Sequence, residues 1–180
     1  SGSRTIGLGG GAGNLSISDA EIAEFNTSGL LQIGSATAGT VTADTADFTT
    51  VTATTDVTLI SGADIQDTGG ATANEIVADD LTLTAVTNIG TSAADALNIN
   101  ATRVDATTSG AGDIFLNDSN ALQLGNAAAI TTGAAGEVIN VVAAGLLTVA
   151  QDVTVTGAAT IDLTGLGVTA NTSVDVSSAT

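Results

Sequence analysis

Apolar and polar positions alternate along this chain in short runs. An apolar-x-apolar triplet flanked by Gly, Asn, Asp, Ser or Thr recurs at Leu15/Ile17, Leu31/Ile33, Val57/Leu59, Leu81/Leu83, Leu97/Ile99 and Ile114/Leu116. It continues at Leu122/Leu124, Ile139/Val141, Leu147/Val149, Val153/Val155, Ile161/Leu163 and Val174/Val176. Alternation over so few residues predicts strands of three to five residues with one face buried. Weaker strands are expected around Val41, Phe48, Ile65 and Val104, where the spacing between triplets widens. Helical spacing is confined to Asp19–Phe25, behind Ser18 as a capping residue.

Short strands at steps of about eight residues fit a sandwich, a barrel or a solenoid, and the turns discriminate among them. Tight hairpins favour Asn-Gly or Asp-Gly, and neither dipeptide occurs in the chain. Pieces such as Asn117-Asp118-Ser119-Asn120 and Ala143-Ala144-Gly145 suit gentle corners, which let each coil stack in parallel on the one before. The pattern therefore predicts an all-β fold, a parallel β-helix (β-solenoid) of short strands over residues 15–180, with roughly eight coils of about 20 to 24 residues. Residues 1–14, with the run Gly7-Leu8-Gly9-Gly10-Gly11-Ala12-Gly13, read as a Gly-rich linker or N-terminal edge. Open solenoid ends leave backbone groups unpaired, so the expected partners are copies of the chain or the rest of a longer one, end to end.

Composition sharpens this picture. Among 180 residues there are 22 Gly but no Pro, Cys, His, Met, Trp or Tyr, and only three Phe, so the core must be thin and aliphatic. The net charge is −17, with Arg4 and Arg103 the only basic residues. That balance argues against binding nucleic acid or an anionic membrane surface, and no window reaches the ~18 apolar residues of a membrane span. Without imidazole or thiol the usual general bases, nucleophiles and zinc ligands are missing, and the chain is expected not to be an enzyme.

Several phrases resemble a known family. Leu15-Ser16-Ile17-Ser18-Asp19-Ala20-Glu21-Ile22, Leu31-Gln32-Ile33-Gly34-Ser35-Ala36-Thr37-Ala38-Gly39-Thr40-Val41, Leu81-Thr82-Leu83-Thr84-Ala85 and Gly112-Asp113-Ile114-Phe115-Leu116-Asn117-Asp118 are similar to segments of filamentous-haemagglutinin-like large exoproteins. The resemblance spans about residues 14–180. It implies a right-handed parallel β-helix at a bacterial cell surface or in the extracellular space, serving as the shaft of an adhesin or filament. The family's N-terminal secretion domain, with its Asn-Pro motifs, has no counterpart in a chain without Pro.

Acidic residues are the plentiful reactive groups. The pairs Asp44/Asp47, Asp64/Asp67, Asp79/Asp80 and Asp113/Asp118 lie close enough in sequence to gather oxygen ligands at a corner, which would suit Ca²⁺. Read as ordinary surface residues, they are solvated turn positions that keep an aliphatic rod soluble. None fits an EF-hand or a Gly-Gly-x-Gly-x-Asp repeat. Paired carboxylates also cleave sugars in some β-helical enzymes, yet no aromatic platform accompanies them here, and Arg103 is expected to pair with Asp105 or an acid on an adjacent coil. The alternative is a surface-binding module, for carbohydrate, Ca²⁺-dependent, or for ice through outward Thr-x-Thr pieces at Thr40/Thr42, Thr50/Thr52/Thr54, Thr82/Thr84 and Thr154/Thr156. They read as scattered rather than aligned at one coil period, and Thr is in any case the common polar choice for a wet strand face.

Overall fold

The structure is a computed structural model that describes residues 3–27, 29–51, 56–68 and 74–179. In chain order its elements are β1 (Ile6–Gly9), β2 (Leu15–Ser18), α1 (Asp19–Ile22), β3 (Leu31–Gly34), β4 (Val41–Ala43), β5 (Ala46–Asp47), β6 (Val57–Ile60), β7 (Ile65–Asp67), β8 (Ile76–Ala85) and β9 (Leu97–Thr108). There follow β10 (Ile114–Asp118), β11 (Leu122–Leu124), β12 (Ile130–Ala135), β13 (Val138–Ala143), β14 (Leu146–Val149), β15 (Val153–Thr156), β16 (Thr160–Thr164), β17 (Gly167–Ala170) and β18 (Val176–Ala179). The named strands pair in parallel, each with the strand one coil away except β2, which pairs with β1 nine residues before it, and the result is a β-solenoid of about six turns. At ~4.8 Å per stacked strand this is a prism about 30 Å long.

Registers show how the coils align. One inward column runs Leu15, Ile6, Val41, Ile65, Ile89, Ile114, Ile139, Ile161. From Val41 onward its steps are 24, 24, 25, 25 and 22 residues, whereas Ile6 to Val41 takes 35. The long first step explains why there are about six turns rather than eight. Strand β2 doubles back onto the outside of β1, and α1 and its following loop use further chain before β3 begins.

The stretch read as linker or edge is both less and more than that. Its Ile6–Gly9 segment is an internal strand, with β2 on one side and β4 on the other. The glycines are there because the backbone folds tightly on itself: a Cβ on Gly7 would stand 1.8 Å from the Gly11 carbonyl oxygen, and one on Gly11 2.1 Å from that of Thr42. A run that looks flexible in sequence is thus the price of close packing.

Alternation sets the core as expected. Val41, Ile65, Ile89, Ile114 and Ile139 are all fully buried, as are Leu59, Leu83, Leu97, Ile99 and Leu116. Each such aliphatic chain contributes roughly 2–3 kcal/mol by leaving water. Phe48 is the one ring in the main cluster, and it sits in a 3-10 turn rather than a strand because Asp47 caps that turn, accepting from the Thr49 amide at 2.9 Å. Val174 lies in the turn before β18, so the last triplet is only half a strand. The helical segment forms as α1, with Ser18 and Glu21 in a reciprocal capping box.

Candidate functional site: corner carboxylates, a threonine column and the two ends

The acidic residues act chiefly across the coil step. At one corner, Asp64 Oδ1 accepts from the Asn88 backbone amide at 2.9 Å, its side-chain amide at 3.1 Å and Thr87 Oγ1 at 2.5 Å. Asn88 Oδ1 accepts in turn from the Asp113 amide at 3.0 Å, and Asp113 Oδ1 from the Val138 amide at 2.7 Å. These bonds span 24 to 25 residues, one coil each. Asp19 does the same for the Asp47 amide at 2.9 Å, Asp105 for the amides of Asn126 at 2.6 Å and Ala127 at 3.1 Å, and Asp152 for that of Asp175 at 2.8 Å. A corner carboxylate therefore satisfies a backbone donor that leaves the strand ladder at the bend.

The residues proposed for Ca²⁺ distribute into this scheme. Asp47 caps the 3-10 turn, Asp64 and Asp113 are rungs of the corner column, and Asp67 accepts from Asn98 Nδ2 at 3.2 Å. Asp79 and Asp80 of β8 face Arg103 of β9, with Asp80 bonded to its Nε and Asp79 3.8 Å from Nη2. Asp118 is wholly buried and accepts from the amides of Ala101 at 2.9 Å and Asn120 at 2.7 Å. Asp44 lies beside Gly10, which has no side chain to displace it. Among the described residues no three acidic side chains are gathered as a metal would require. Arg103 thus pairs with acids of the adjacent coil, and Asp105 is engaged elsewhere.

Burial perturbs some of these acids. It pushes the Asp118 carboxyl above the ordinary carboxylate range, against the two amides that bond it. Glu75, also buried, is raised by loss of water and then by repulsion from Asp67 and Asp44, opposed by the Thr45 amide. Glu137 is raised by burial and by the bond and charge it shares with Asp113. Exposed Glu21 is lowered by the amide and hydroxyl of Ser18.

Threonines do align, contrary to the scattered pattern read from sequence. Thr84, Thr107, Thr131 and Thr154 stand in one register column that ends at Ser177, and the Thr131 and Thr107 hydroxyls are 3.5 Å apart. The array is one residue wide, because Thr82 is opposite Asp105 in the neighbouring column. Thr52 and Thr54 lie outside the described residues.

The two ends expose what the middle covers. In the column Leu122, Leu147, Val168 exposure runs 2%, 0%, 48%, and in Ile130, Val153, Val176 it runs 0%, 0%, 45%. At the other end Ile6 is 6% exposed and Leu15, one strand out, is 52%. Of the six large apolar residues exposed among those described, Leu15 and Leu30 are at the N-terminal coil and Leu166, Val168 and Val176 at the C-terminal one. An open cavity of about 770 Å³ lies at the N-terminal end, lined by Arg4, Ile6, Leu15, Gly34, Ser35 and neighbours. The variable coil step hid the threonine column and the end-to-end columns from sequence reading.

No known protein family, curated protein or solved structure matches the chain.

Proposed function

We propose that the chain is a structural shaft segment of a secreted bacterial adhesin or extracellular filament, joined to its neighbours through its solenoid ends. The observation that carries this reading is the continuity of the ladder: aliphatic columns run from one end to the other, and carboxylates tie successive coils at the corners. Asp118, Asp105 and Asp152 likewise hold backbone amides of an adjacent coil. A stiff aliphatic stack with a repelling acidic surface suits a load-bearing element outside the cell. The resemblance to filamentous-haemagglutinin-like exoproteins points the same way.

Pulling a single molecule from its two termini tests the reading. A shaft peels coil by coil, so the force trace contains successive steps of about 80 Å of contour, one coil of about 24 residues at ~3.5 Å each. A single release of the whole chain at low force overturns it.

The threonine column favours a second reading, a surface-binding module of the ice-binding kind, since its hydroxyls are spaced by the strand repeat. Thermal hysteresis measured on the purified chain, abolished by Thr107→Leu with Thr131→Leu, would support that reading; freezing at the colligative temperature would remove it.

A further inference from the structure

Midway along the axis two stacked coils differ in length, and the surplus chain builds a cleft. Ile89 pairs with Ile114 and Leu97 with Leu116, so a path of two residues from 114 to 116 takes eight from 89 to 97. Residues 91–96 therefore leave the sheet and turn back over its outer face. The turn is closed on itself: Ser92 and Asp95 form an antiparallel bridge, the Thr91 amide donates to the Asp95 carbonyl at 3.0 Å, and Thr91 Oγ1 donates to Asp95 Oδ2 at 2.5 Å. Between this turn and the sheet lies a cavity of about 240 Å³, whose polar lining is Asp95, Asn98, Asn117 and Asn140.

Acids at the ends of the amide ladder orient it, because a carboxylate only accepts. Asp67 takes an Asn98 Nδ2 hydrogen at 3.2 Å, so Asn98 Oδ1 faces Asn117 and takes one of its Nδ2 hydrogens at 2.8 Å. Asn117 Oδ1 is thereby left without a partner among the described residues. Asp162 takes an Asn140 Nδ2 hydrogen at 3.3 Å and leaves Asn140 Oδ1 in the same state. Asp95 commits Oδ2 to Thr91 and keeps Oδ1. The cleft thus offers three lone oxygens, one of them on a carboxylate, and no basic side chain lines it.

That inventory selects a ligand. An anion is repelled by the cleft and by a chain of net charge −17, and a neutral hydroxyl supplies a single donor. A primary ammonium supplies three donors, no acceptor and a positive charge. Ala93, Ala94, Ala96 and Val142 add methyl surface for a short alkyl stem, and the volume falls below the about 300–1,000 Å³ of pockets for drug-sized molecules. We propose that this cleft binds a primary ammonium group on an alkyl stem, borne by a lysine side chain of another protein or by a free aliphatic amine. The chain has no Lys, so the group comes from another molecule. The cleft is on a lateral face, and its occupancy is independent of what the solenoid ends do.

Titrating the ¹⁵N-labelled chain with Nα-acetyl-lysinamide, followed by its amide resonances, tests the site. The salt is held at about 0.15 M, where attraction between exposed charges is screened beyond about 8 Å. Saturable shifts are expected at residues 92–98, 117 and 140–142. Acetylating the probe's Nε removes the charge and two donors, and should abolish them. Asp95→Asn is expected to weaken binding about tenfold, the loss of a hydrogen bond to a charged group. Ala94→Leu, at an exposed position of the turn, fills the cleft without removing a bond and should abolish binding, which keeps the test sharp should Asp95→Asn disturb the turn. Butylamine carries the same charge and stem without peptide groups: tighter binding of the lysinamide assigns a protein lysine, and equal or tighter binding of butylamine assigns a free amine. No saturable shift, shifts spread over the whole acidic surface, or undiminished binding by the Nε-acetylated probe or to the Ala94→Leu chain overturns the proposal. The pulling experiment reads the shaft separately.

Discussion

Asp64 and Asn88 sit one coil apart, and a single carboxylate oxygen of the first receives both the backbone and the side-chain N–H of the second. The relationship is repeated one step on, where Asn88 receives the Asp113 amide. It gives the acidic residues of this chain a structural purpose: they complete the hydrogen bonding of a corner that the sheet cannot reach. Asp64→Ala orphans the Asn88 amide and is expected to cost about 1–3 kcal/mol in urea unfolding. Asp64→Asn keeps an acceptor of the same shape and should cost less than the alanine variant. Equal losses would mean that the charge, not the acceptor, carries the interaction.

The perturbed acids predict an unusual pH dependence. Asp118, Glu75 and Glu137 hold their protons more tightly folded than unfolded. Their contribution to stability is therefore fully present below the ordinary carboxylate pKa of ~4 and is lost as pH rises through their higher folded values. Acidification also relieves the self-repulsion of a chain with net charge −17. The melting temperature should rise from pH 7 to about pH 4.5, and Asp118→Asn should flatten that rise. A melting temperature that falls over the same interval would contradict the assignment.

Two glycines separate space from backbone conformation. Gly90 has φ +72°, and a Cβ there would lie 2.4 Å from the Phe115 carbonyl oxygen; Gly136 has φ +87° with nothing within 4 Å. Gly136→Ala should cost only the left-handed penalty of about 1–2 kcal/mol. Gly90→Ala should cost clearly more, because backbone has to move as well. Thermal melts of the two variants side by side decide it, and similar losses would show that the close approach at Gly90 relaxes freely.

Position along the axis should grade the core. Ile89→Ala, in the fully buried middle of its column, is expected to lose about 2–5 kcal/mol. Ile161→Ala, in the same column but half-buried, should lose much less at low protein concentration and more where the ends are joined. Amide exchange should be slowest in β8 and β9 and fastest in β16 to β18.

Much of this was legible in the residues. The doublets Leu81/Leu83 and Ile139/Val141 announce strands and their inward faces, because a period of two admits no other reading once the turns lack hairpin dipeptides. Ser18 and Glu21 announce the start of α1. Coil count and column membership were not legible, since they depend on loop lengths that vary from coil to coil. Thr84, Thr107, Thr131 and Thr154 are separated by 23, 24 and 23 residues, enough drift to look scattered. Nor could the glycine run reveal itself, because a tight fold-back and a loose linker use the same residue for opposite reasons.

The most direct test of the account is electron microscopy of the purified chain at rising concentration, with Ca²⁺ and with chelator. The account predicts uniform fibres with a ~4.8 Å axial repeat that persist in chelator, because the corner carboxylates are already bonded to backbone amides. Isolated particles at every concentration, or fibres that dissolve when calcium is removed, would contradict it.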